Sequence, residues 1–154
     1  MEGGECILLA MKHPSLESPA LGPLLGLSIF STCTAADIRP LLADADVLTF
    51  PAATTIERKG IPARQLIGIV DGYLRAFDAN GRPFVLGPGD QIGARELLDR
   101  DVHTATYTTS TTATLVVVFG RAFTALARSL PDVVERARSP RRYRQRNELV
   151  TTAR

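Results

Sequence analysis

The chain has 154 residues, of which 45% are hydrophobic and 22% are charged. This composition predicts one globular domain and excludes a disordered chain, and no apolar run approaches the roughly 20 residues that span a bilayer. Residues 1–137 carry twelve Lys/Arg against fifteen Asp/Glu, whereas residues 138–154 carry six Arg against one Glu. The body is therefore mildly acidic, which argues against a nucleic-acid reader in the body itself.

Residues 1–26 are expected to form a loosely ordered or partly helical leader, because glycines and prolines interrupt them and no hydrophobic period is sustained. The amino end lacks the basic and apolar segments of a signal peptide. Two cysteines, Cys6 and Cys33, make no disulfide framework and are too few for a thiolate zinc site. We therefore expect a cytoplasmic protein without a membrane span.

A short helix is predicted after Thr34, whose side chain can cap the helix together with Asp37 three residues later. Apolar residues at positions 38, 41, 42 and 45 share one helix face and extend the prediction to residue 45. Pro40 lies inside this stretch and should bend it, since proline has no N–H to donate.

From residue 47 onward the pattern is that of short β-strands. The dipeptides Asp71–Gly72 and Asn80–Gly81 both tolerate the positive φ of a type I′ turn, so an antiparallel three-stranded meander is predicted over residues 65–86. The predicted strands are 47–50, 54–58, 65–70, 73–77, 82–86, 103–109 and 114–119.

After Gly120 the period becomes helical again. The spacing of Phe123, Leu126 and Leu130 predicts one helix, and Pro131 begins a second that reaches about residue 137. The fold predicted over residues 27–137 is mainly β with flanking helices (α+β). It is an antiparallel jelly-roll-like β-roll with short helices at both ends.

Catalytic patterns are sparse in this sequence. His13 and His103 are far apart, neither has the spacing of a metal-binding cluster, and no GxSxG motif is present. We therefore expect no enzymatic activity, no metal site and no required cofactor.

The stretch from Gly87 to Thr106 carries the chemistry of a phosphate-binding loop. Gly93 and the residues after it predict one helical turn, whose backbone N–H groups would point at a single anion. Leu97 and Leu98 would anchor that turn to the core. A glycine-rich corner over residues 87–90 precedes the turn, and a strand beginning at His103 follows it.

The order of elements from about residue 27 to residue 136 resembles the cyclic-nucleotide-binding domain of catabolite-activator regulators, kinase regulatory subunits and gated channels. This resemblance implies a regulatory, ligand-sensing β-roll that binds cyclic AMP or cyclic GMP. The matching features are Ile29–Phe30, Gly60, Asp71–Gly72, Gly87–Pro88–Gly89–Asp90, Ile92–Gly93, Leu97–Leu98, Thr104–Ala105–Thr106, Phe123 and Pro131.

Two charged positions of that family are replaced here. We call the phosphate-binding loop from Gly87 to Thr106 the cassette, and Gly93 is its central glycine. In the family, a glutamate directly after this glycine accepts from the ribose 2′-hydroxyl. An arginine ten residues after the glycine pairs with the cyclic phosphate. These positions are Ala94 and His103, whereas the neighbouring hydroxyl of Thr104 remains. Losing one charge-assisted contact costs about 1.5–3 kcal/mol, so the resemblance implies a stand-alone sensing module that binds ordinary cyclic nucleotides weakly or not at all.

Alternatives remain open at the cassette. In one alternative, Arg95 or Arg100 supplies the missing cation and Glu96 accepts a hydrogen bond from a sugar, so that the protein is a genuine nucleotide sensor. In the other, these three residues are solvated loop charges. His103 is either a ligand contact or a strand histidine packed at the rim.

The carboxyl-terminal tail, residues 138–154, also permits two interpretations. Its arginines bind a nucleic-acid backbone or an acidic partner, as in a structural interaction domain, or they only solubilise the chain end. The resemblance makes Tyr143 a candidate lid over the ligand. Only 24 residues follow Leu130, so we expect no DNA-binding domain in this chain and instead a protein partner or homo-oligomer. The five arginines around Tyr143 are Arg138, Arg141, Arg142, Arg144 and Arg146.

Overall fold

The computed structural model describes residues 18–139. Two 3₁₀ segments, Ser28–Phe30 and Arg39–Asp44, accompany the α-helices and strands. The α-helices are α1 Leu21–Leu25, α2 Ala35–Ile38, α3 Ala94–Asp99, α4 Gly120–Ala127 and α5 Pro131–Arg138. The strands are β1 Ala45–Phe50, β2 Thr55–Glu57, β3 Gln65–Asp71, β4 Leu74–Phe77, β5 Pro83–Leu86, β6 Gln91–Ile92, β7 Tyr107–Thr109 and β8 Ala113–Phe119.

The strands form two four-stranded sheets, which confirms the predicted β-roll with flanking helices. The first sheet has the strand order β1-β8-β3-β6 and the second has the order β2-β7-β4-β5. All of the pairings are antiparallel. Because consecutive strands mostly belong to different sheets, the chain passes back and forth between the two layers, as in a jelly roll.

The first sheet is covered on both faces. Ile67, Ile69 and Leu115 pack in the core between the two sheets. Leu66 and Val116, which point to the opposite face, pack against the helices. Burial on both faces explains why β3 and β8 read as almost continuous apolar runs rather than as alternating ones.

The helices form a layer on the outer face of that sheet. Leu24 of α1 is fully buried there, and the ring of Phe123 in α4 meets that of Phe30 edge-on, with centroids 6.3 Å apart. A Cβ at Gly68 would lie 2.5 Å from the Cδ1 of Leu27, so glycine allows the amino-terminal segment to close onto β3. The two helices predicted after Gly120 are both present as α4 and α5.

The predicted three-stranded meander is wrong at its first turn. β4 and β5 do form a hairpin, but β3 and β4 lie in different sheets, so Asp71–Gly72 is a corner between layers. Gly72 has the expected positive φ of 87°, and a Cβ there would lie 2.7 Å from the Cα of Ala113. Glycine is therefore required here because the chain just before β8 approaches it closely. The local sequence of the turn does not distinguish such a corner from a hairpin.

The hairpin at Asn80–Gly81 is present with a different turn. Asp78 N–H donates to the Arg82 carbonyl at 2.8 Å, which leaves three residues in the loop, and only Gly81 has a positive φ. The Asp78 carboxylate accepts from the N–H groups of Asn80 and Arg82, at 2.8 and 2.9 Å. This side-chain bonding stabilises a three-residue loop with glycine in the left-handed region instead of a type I′ turn.

Two further predicted elements are shorter in the structure. The capping box between Thr34 and Asp37 is confirmed, but the α-helix ends at Ile38 and is followed by the 3₁₀ segment Arg39–Asp44, in which Pro40 is the second residue. The strand predicted from His103 begins only at Tyr107, because the residues before it follow a loop.

The tail residues beyond Ser139, including Tyr143, lie outside the described residues. Within residues 18–139 no helix is long and apolar enough to cross a membrane.

Candidate functional site

The cassette is built on two glycines with positive φ. Gly89 has φ 94° and Gly93 has φ 98°. A Cβ at Gly93 would lie 2.7 Å from the carbonyl oxygen of Gln65, so a larger residue would displace β3 or the cassette. The corner before it is closed by the Asp90 carboxylate, which accepts from the Gly87 N–H at 2.8 Å. The sequence thus fixes the backbone path of the predicted phosphate loop.

The predicted helical turn is the helix α3. Leu97 and Leu98 are half-buried against the helical core, as expected for its anchors. Arg100 ends the helix in the left-handed conformation with φ 55°, and its N–H donates to the Glu96 carbonyl. At the amino end, the side chain of Gln91 accepts from the Ala94 N–H at 3.2 Å. One donor of the first turn is therefore already bound by the protein.

His103 stands beside this first turn. Its backbone pairs with the neighbouring segment, since its N–H donates to the Ile61 carbonyl at 2.9 Å. Its Cε1 lies 3.7 Å from the position of a Cβ on Gly93. The side chain is fully buried, and neither ring nitrogen has a hydrogen-bond partner among residues 18–139. The imidazole therefore adjoins the first turn of α3 but is enclosed by protein.

Glu57 is the nearest charged partner of this imidazole. Its Oε1 lies 3.5 Å from the Nε2 of His103, which is an ion-pair distance without hydrogen-bond geometry. Burial raises the pKa of the Glu57 carboxyl above its ordinary value of 4.5, and His103 opposes this shift. Sequence reasoning missed Glu57, because it lies on β2, far from the cassette in sequence, and carries no motif.

Arg95 belongs to a network of charges on α3 and the loop after it. Its guanidinium lies 3.4 Å from Glu96, 3.3 Å from Asp99 and 3.4 Å from Asp101. Burial by itself would lower the pKa of Arg95, but Glu96 and the two aspartates outweigh this effect, so the pKa is raised. Only the i, i+4 spacing of Arg95 and Asp99 signalled this network in the sequence.

The tail arginine Arg138 reaches the same network. Its Nη2 donates to Asp99 at 2.7 Å, and this hydrogen bond lowers the pKa of the Asp99 carboxyl. Glu96 is 4% exposed, and its Oε1 has no hydrogen-bond partner among the described residues. Glu96 is therefore a buried carboxylate and not a solvated loop charge.

The structure brings together only part of the predicted site. Gly93, Ala94 and His103 adjoin one another, and the methyl group of Ala94 is fully buried. Thr104 is exposed on the loop that follows. Arg100 is exposed and lines a separate groove beside α4. Within residues 18–139 no group of three or more potential metal ligands is present.

The chain matches the family model for the cyclic nucleotide-binding domain over residues 47–129. A cyclic nucleotide-gated potassium channel of Mesorhizobium japonicum is 31% identical over 87 residues, which are 56% of this chain. The match covers 24% of that channel, so the chain spans about a quarter of the curated relative.

Three solved structures share the fold. A regulatory subunit of a cAMP-independent protein kinase A from Trypanosoma brucei has a TM-score of 0.69 at 19% identity, covering 86% of this chain and 50% of that one. The catabolite activator protein of Thermus thermophilus has a TM-score of 0.58 at 24% identity, covering 70% and 53%. The sensor domain of the transcriptional regulator DNR from Pseudomonas aeruginosa has a TM-score of 0.61 at 15% identity, covering 73% and 79%.

Proposed function

Since this chain belongs to the cyclic nucleotide-binding domain family, we propose that it is a non-catalytic regulatory or ligand-sensing module that binds cyclic AMP and cyclic GMP weakly or not at all. The observation that carries this proposal is the fully buried His103 side chain beside the Glu57 carboxylate. In sequence, His103 is the residue that we align with the family arginine.

The phosphate half of the site argues against an anion. An imidazole lacks the bidentate donor fork of a guanidinium, and losing a charge-assisted contact is worth about 1.5–3 kcal/mol. Glu57 adds a carboxylate 3.5 Å from the ring, so an anion beside His103 would meet a like charge. Both effects weaken phosphate binding.

The ribose half lacks its acceptor as well. Ala94 provides only a methyl group, which is fully buried in the helical core. Glu96, the nearest carboxylate along the helix, is buried and lies 3.4 Å from the Arg95 guanidinium. A sugar hydroxyl would have to displace this ion pair.

The substitute cations are already engaged or lie elsewhere. Arg95 faces three carboxylates, and leaving them would strand the buried Glu96 without a counterion. Arg100 caps the carboxyl end of α3, whereas a phosphate would bind at the amino end. We therefore favour the diverged site over a nucleotide sensor that uses Arg95 or Arg100.

We also infer that the module is cytoplasmic, an inference that the Cys33 thiol supports. Burial raises the pKa of the Cys33 thiol above 9.0, with a smaller contribution from Asp37, which keeps the thiol protonated at neutral pH. A free, protonated thiol suits a reducing compartment.

Isothermal titration of the full chain with cyclic AMP and cyclic GMP tests the proposal, supported by thermal shifts with a nucleotide panel. We expect dissociation constants above about 100 µM or no heat, because the two missing contacts each remove about tenfold or more in affinity. Sub-micromolar binding would contradict the diverged site. If Arg95→Ala or Arg100→Ala abolished that binding, the sensor alternative would replace it, whereas Arg75→Ala serves as the exposed control.

A further inference from the structure

A second concave surface lies where α3, α4 and the start of β3 meet. It is an open groove of about 690 Å³. It contains none of Gly93, Ala94 and His103, so it lies away from the amino end of α3, where a phosphate is predicted to bind. We call it the arginine groove, and the residues that define it are Arg64, Arg100, Arg121, Arg128, Leu97 and Leu98.

The groove carries concentrated positive charge. Its four arginines are exposed, and no Asp or Glu lines it. None of the four forms an ion pair with another residue of the described range, in contrast to Arg95 and Arg138. Arg121 lies over the ring of Phe119, with the guanidinium carbon 5.7 Å from the centroid. Four arginines without an ion pair among residues 18–139 surround one concavity, and this charge attracts a polyanionic ligand.

Apolar side chains accompany the charge. Leu97 and Leu98 line the groove, and Phe119 at its edge is 50% exposed. Next to Ala63, which also lines the groove, Ile61 and Val102 are 47% and 37% exposed. An inorganic anion would gain nothing from these contacts, whereas an apolar side chain of a peptide would.

The exposed apolar residues Ile61 and Val102 lie next to the groove because the two chain segments that carry them are hydrogen-bonded to each other. Ala63 N–H donates to the Asp101 carbonyl at 3.2 Å, and Pro62 pairs with Val102. The exposed apolar strip at Ile61 and Val102 is therefore continuous with the edge of the groove near Arg100.

We propose that the arginine groove is a docking surface for an acidic segment of a partner protein, in which carboxylates flank an apolar side chain. Guanidinium groups bind carboxylates with two parallel hydrogen bonds, and arginine and phenylalanine are enriched at protein interfaces. A concave groove accepts an extended chain, whereas a flat bilayer would reach only its rim. This inference does not depend on whether the cassette binds a nucleotide.

Selection from a random peptide library against the immobilised full chain tests the inference, followed by fluorescence polarisation with the enriched peptides. We expect acidic peptides with at least one large apolar residue. The double variant Arg64→Glu/Arg121→Glu should weaken their binding about tenfold or more, and raising NaCl from about 50 to about 500 mM should weaken binding to the unmodified chain. If the charge reversal impairs folding, the milder double variant Arg64→Gln/Arg121→Gln takes its place in the test.

The matched control is Arg75→Glu/Arg82→Glu, which makes the same charge change on the exposed β4–β5 hairpin and should leave binding unchanged. Enrichment of basic or neutral peptides, or equal losses in both double variants, would overturn the proposal. Tighter binding to phosphatidylserine vesicles or to tripolyphosphate than to any selected peptide would overturn it too. Self-association that only the groove variant abolishes would assign the groove to a second copy instead.

Discussion

The substitution His103→Arg should restore little nucleotide binding by itself, whereas His103→Arg combined with Glu57→Gln should restore more. The reason is the position of Glu57, whose carboxylate oxygen lies 3.5 Å from the ring nitrogen that the guanidinium would replace. In the single variant the new cation would pair with Glu57. Glutamine keeps the size of that side chain and removes its charge, so the guanidinium becomes available to a phosphate.

The expected gain follows from two contributions. A charge-assisted hydrogen bond is worth about 1.5–3 kcal/mol, which corresponds to about tenfold to hundredfold in affinity. A carboxylate about 5 Å from a phosphate contributes about 3 kcal/mol of repulsion at an effective dielectric constant near 20, and solvent contact reduces this figure. Glu57 retains 18% side-chain exposure, so some screening applies. The first contribution alone predicts that the double variant binds cyclic AMP about tenfold to hundredfold more tightly than the unmodified chain, and removing the screened repulsion adds to this gain.

Isothermal titration calorimetry on the full chain measures the effect, with thermal unfolding as the check that each variant is folded. Glu135 is an exposed carboxylate on α5 without an ion pair to another described residue, so His103→Arg/Glu135→Gln removes the same charge elsewhere. If the single variant His103→Arg bound as tightly as His103→Arg/Glu57→Gln, or if the Glu135 control matched it, the role assigned to Glu57 would be wrong.

Three further predictions concern stability, measured as the free energy of chemical unfolding. Gly93→Ala should lower it by about 1–3 kcal/mol, because the backbone φ is 98° and the new Cβ would lie 2.7 Å from the Gln65 carbonyl oxygen. Asp99→Asn should lower stability at pH 7, with a cost that disappears as the pH falls through the lowered pKa of Asp99, since Arg138 stabilises only the ionised carboxyl. Burial raises the pKa of Glu57, so the folded protein favours the protonated carboxyl. The stability that comes from this protonation is fully present below pH 4.5 and is lost as the pH rises through the raised pKa. Glutamine does not titrate, so Glu57→Gln should become more stable relative to the unmodified chain as the pH rises from about 4 to about 7.

Each of these has a matched comparison. Gly81→Ala also places alanine at a positive φ, but nothing lies within 4 Å of the new Cβ, so a loss as large as that of Gly93→Ala would mean that the contact is unimportant. Asp46→Asn changes an exposed carboxylate for which no ion pair with another described residue is seen, and an equal loss there would contradict the pairing with Arg138. A stability difference for Glu57→Gln that stayed constant with pH would refute the raised pKa.

The fold was largely accessible from sequence, because its signals are local. Glycine spacing, hydrophobic period and the Thr34–Asp37 capping box each depend on a few neighbouring residues, and the structure confirms the capped start of α2, the β4–β5 hairpin and the helices α4 and α5. The corner at Asp71–Gly72 shows the limit. Its dipeptide is equally suited to a hairpin and to a passage between sheets, and the choice depends on the chain before Ala113, which packs against the glycine.

The candidate site was accessible only in part. The backbone frame and the two replaced positions, Ala94 and His103, follow from spacing alone. The carboxylate that faces the histidine does not, because β2 and the cassette are brought together by strand pairing between Glu57 and Tyr107. The burial of Glu96 is likewise set by tertiary packing, since a charged residue on a short helix ordinarily faces solvent.

The helix α3 is bounded at both ends by residues in the left-handed conformation, Gly93 and Arg100. Extending it by one residue at either end would require a new backbone conformation there, and the helix therefore has a fixed length and register. The amino end of α3 adjoins His103 and its carboxyl end lines the arginine groove. We therefore expect a ligand that shifts one end of this short helix to change the position of the other end as well.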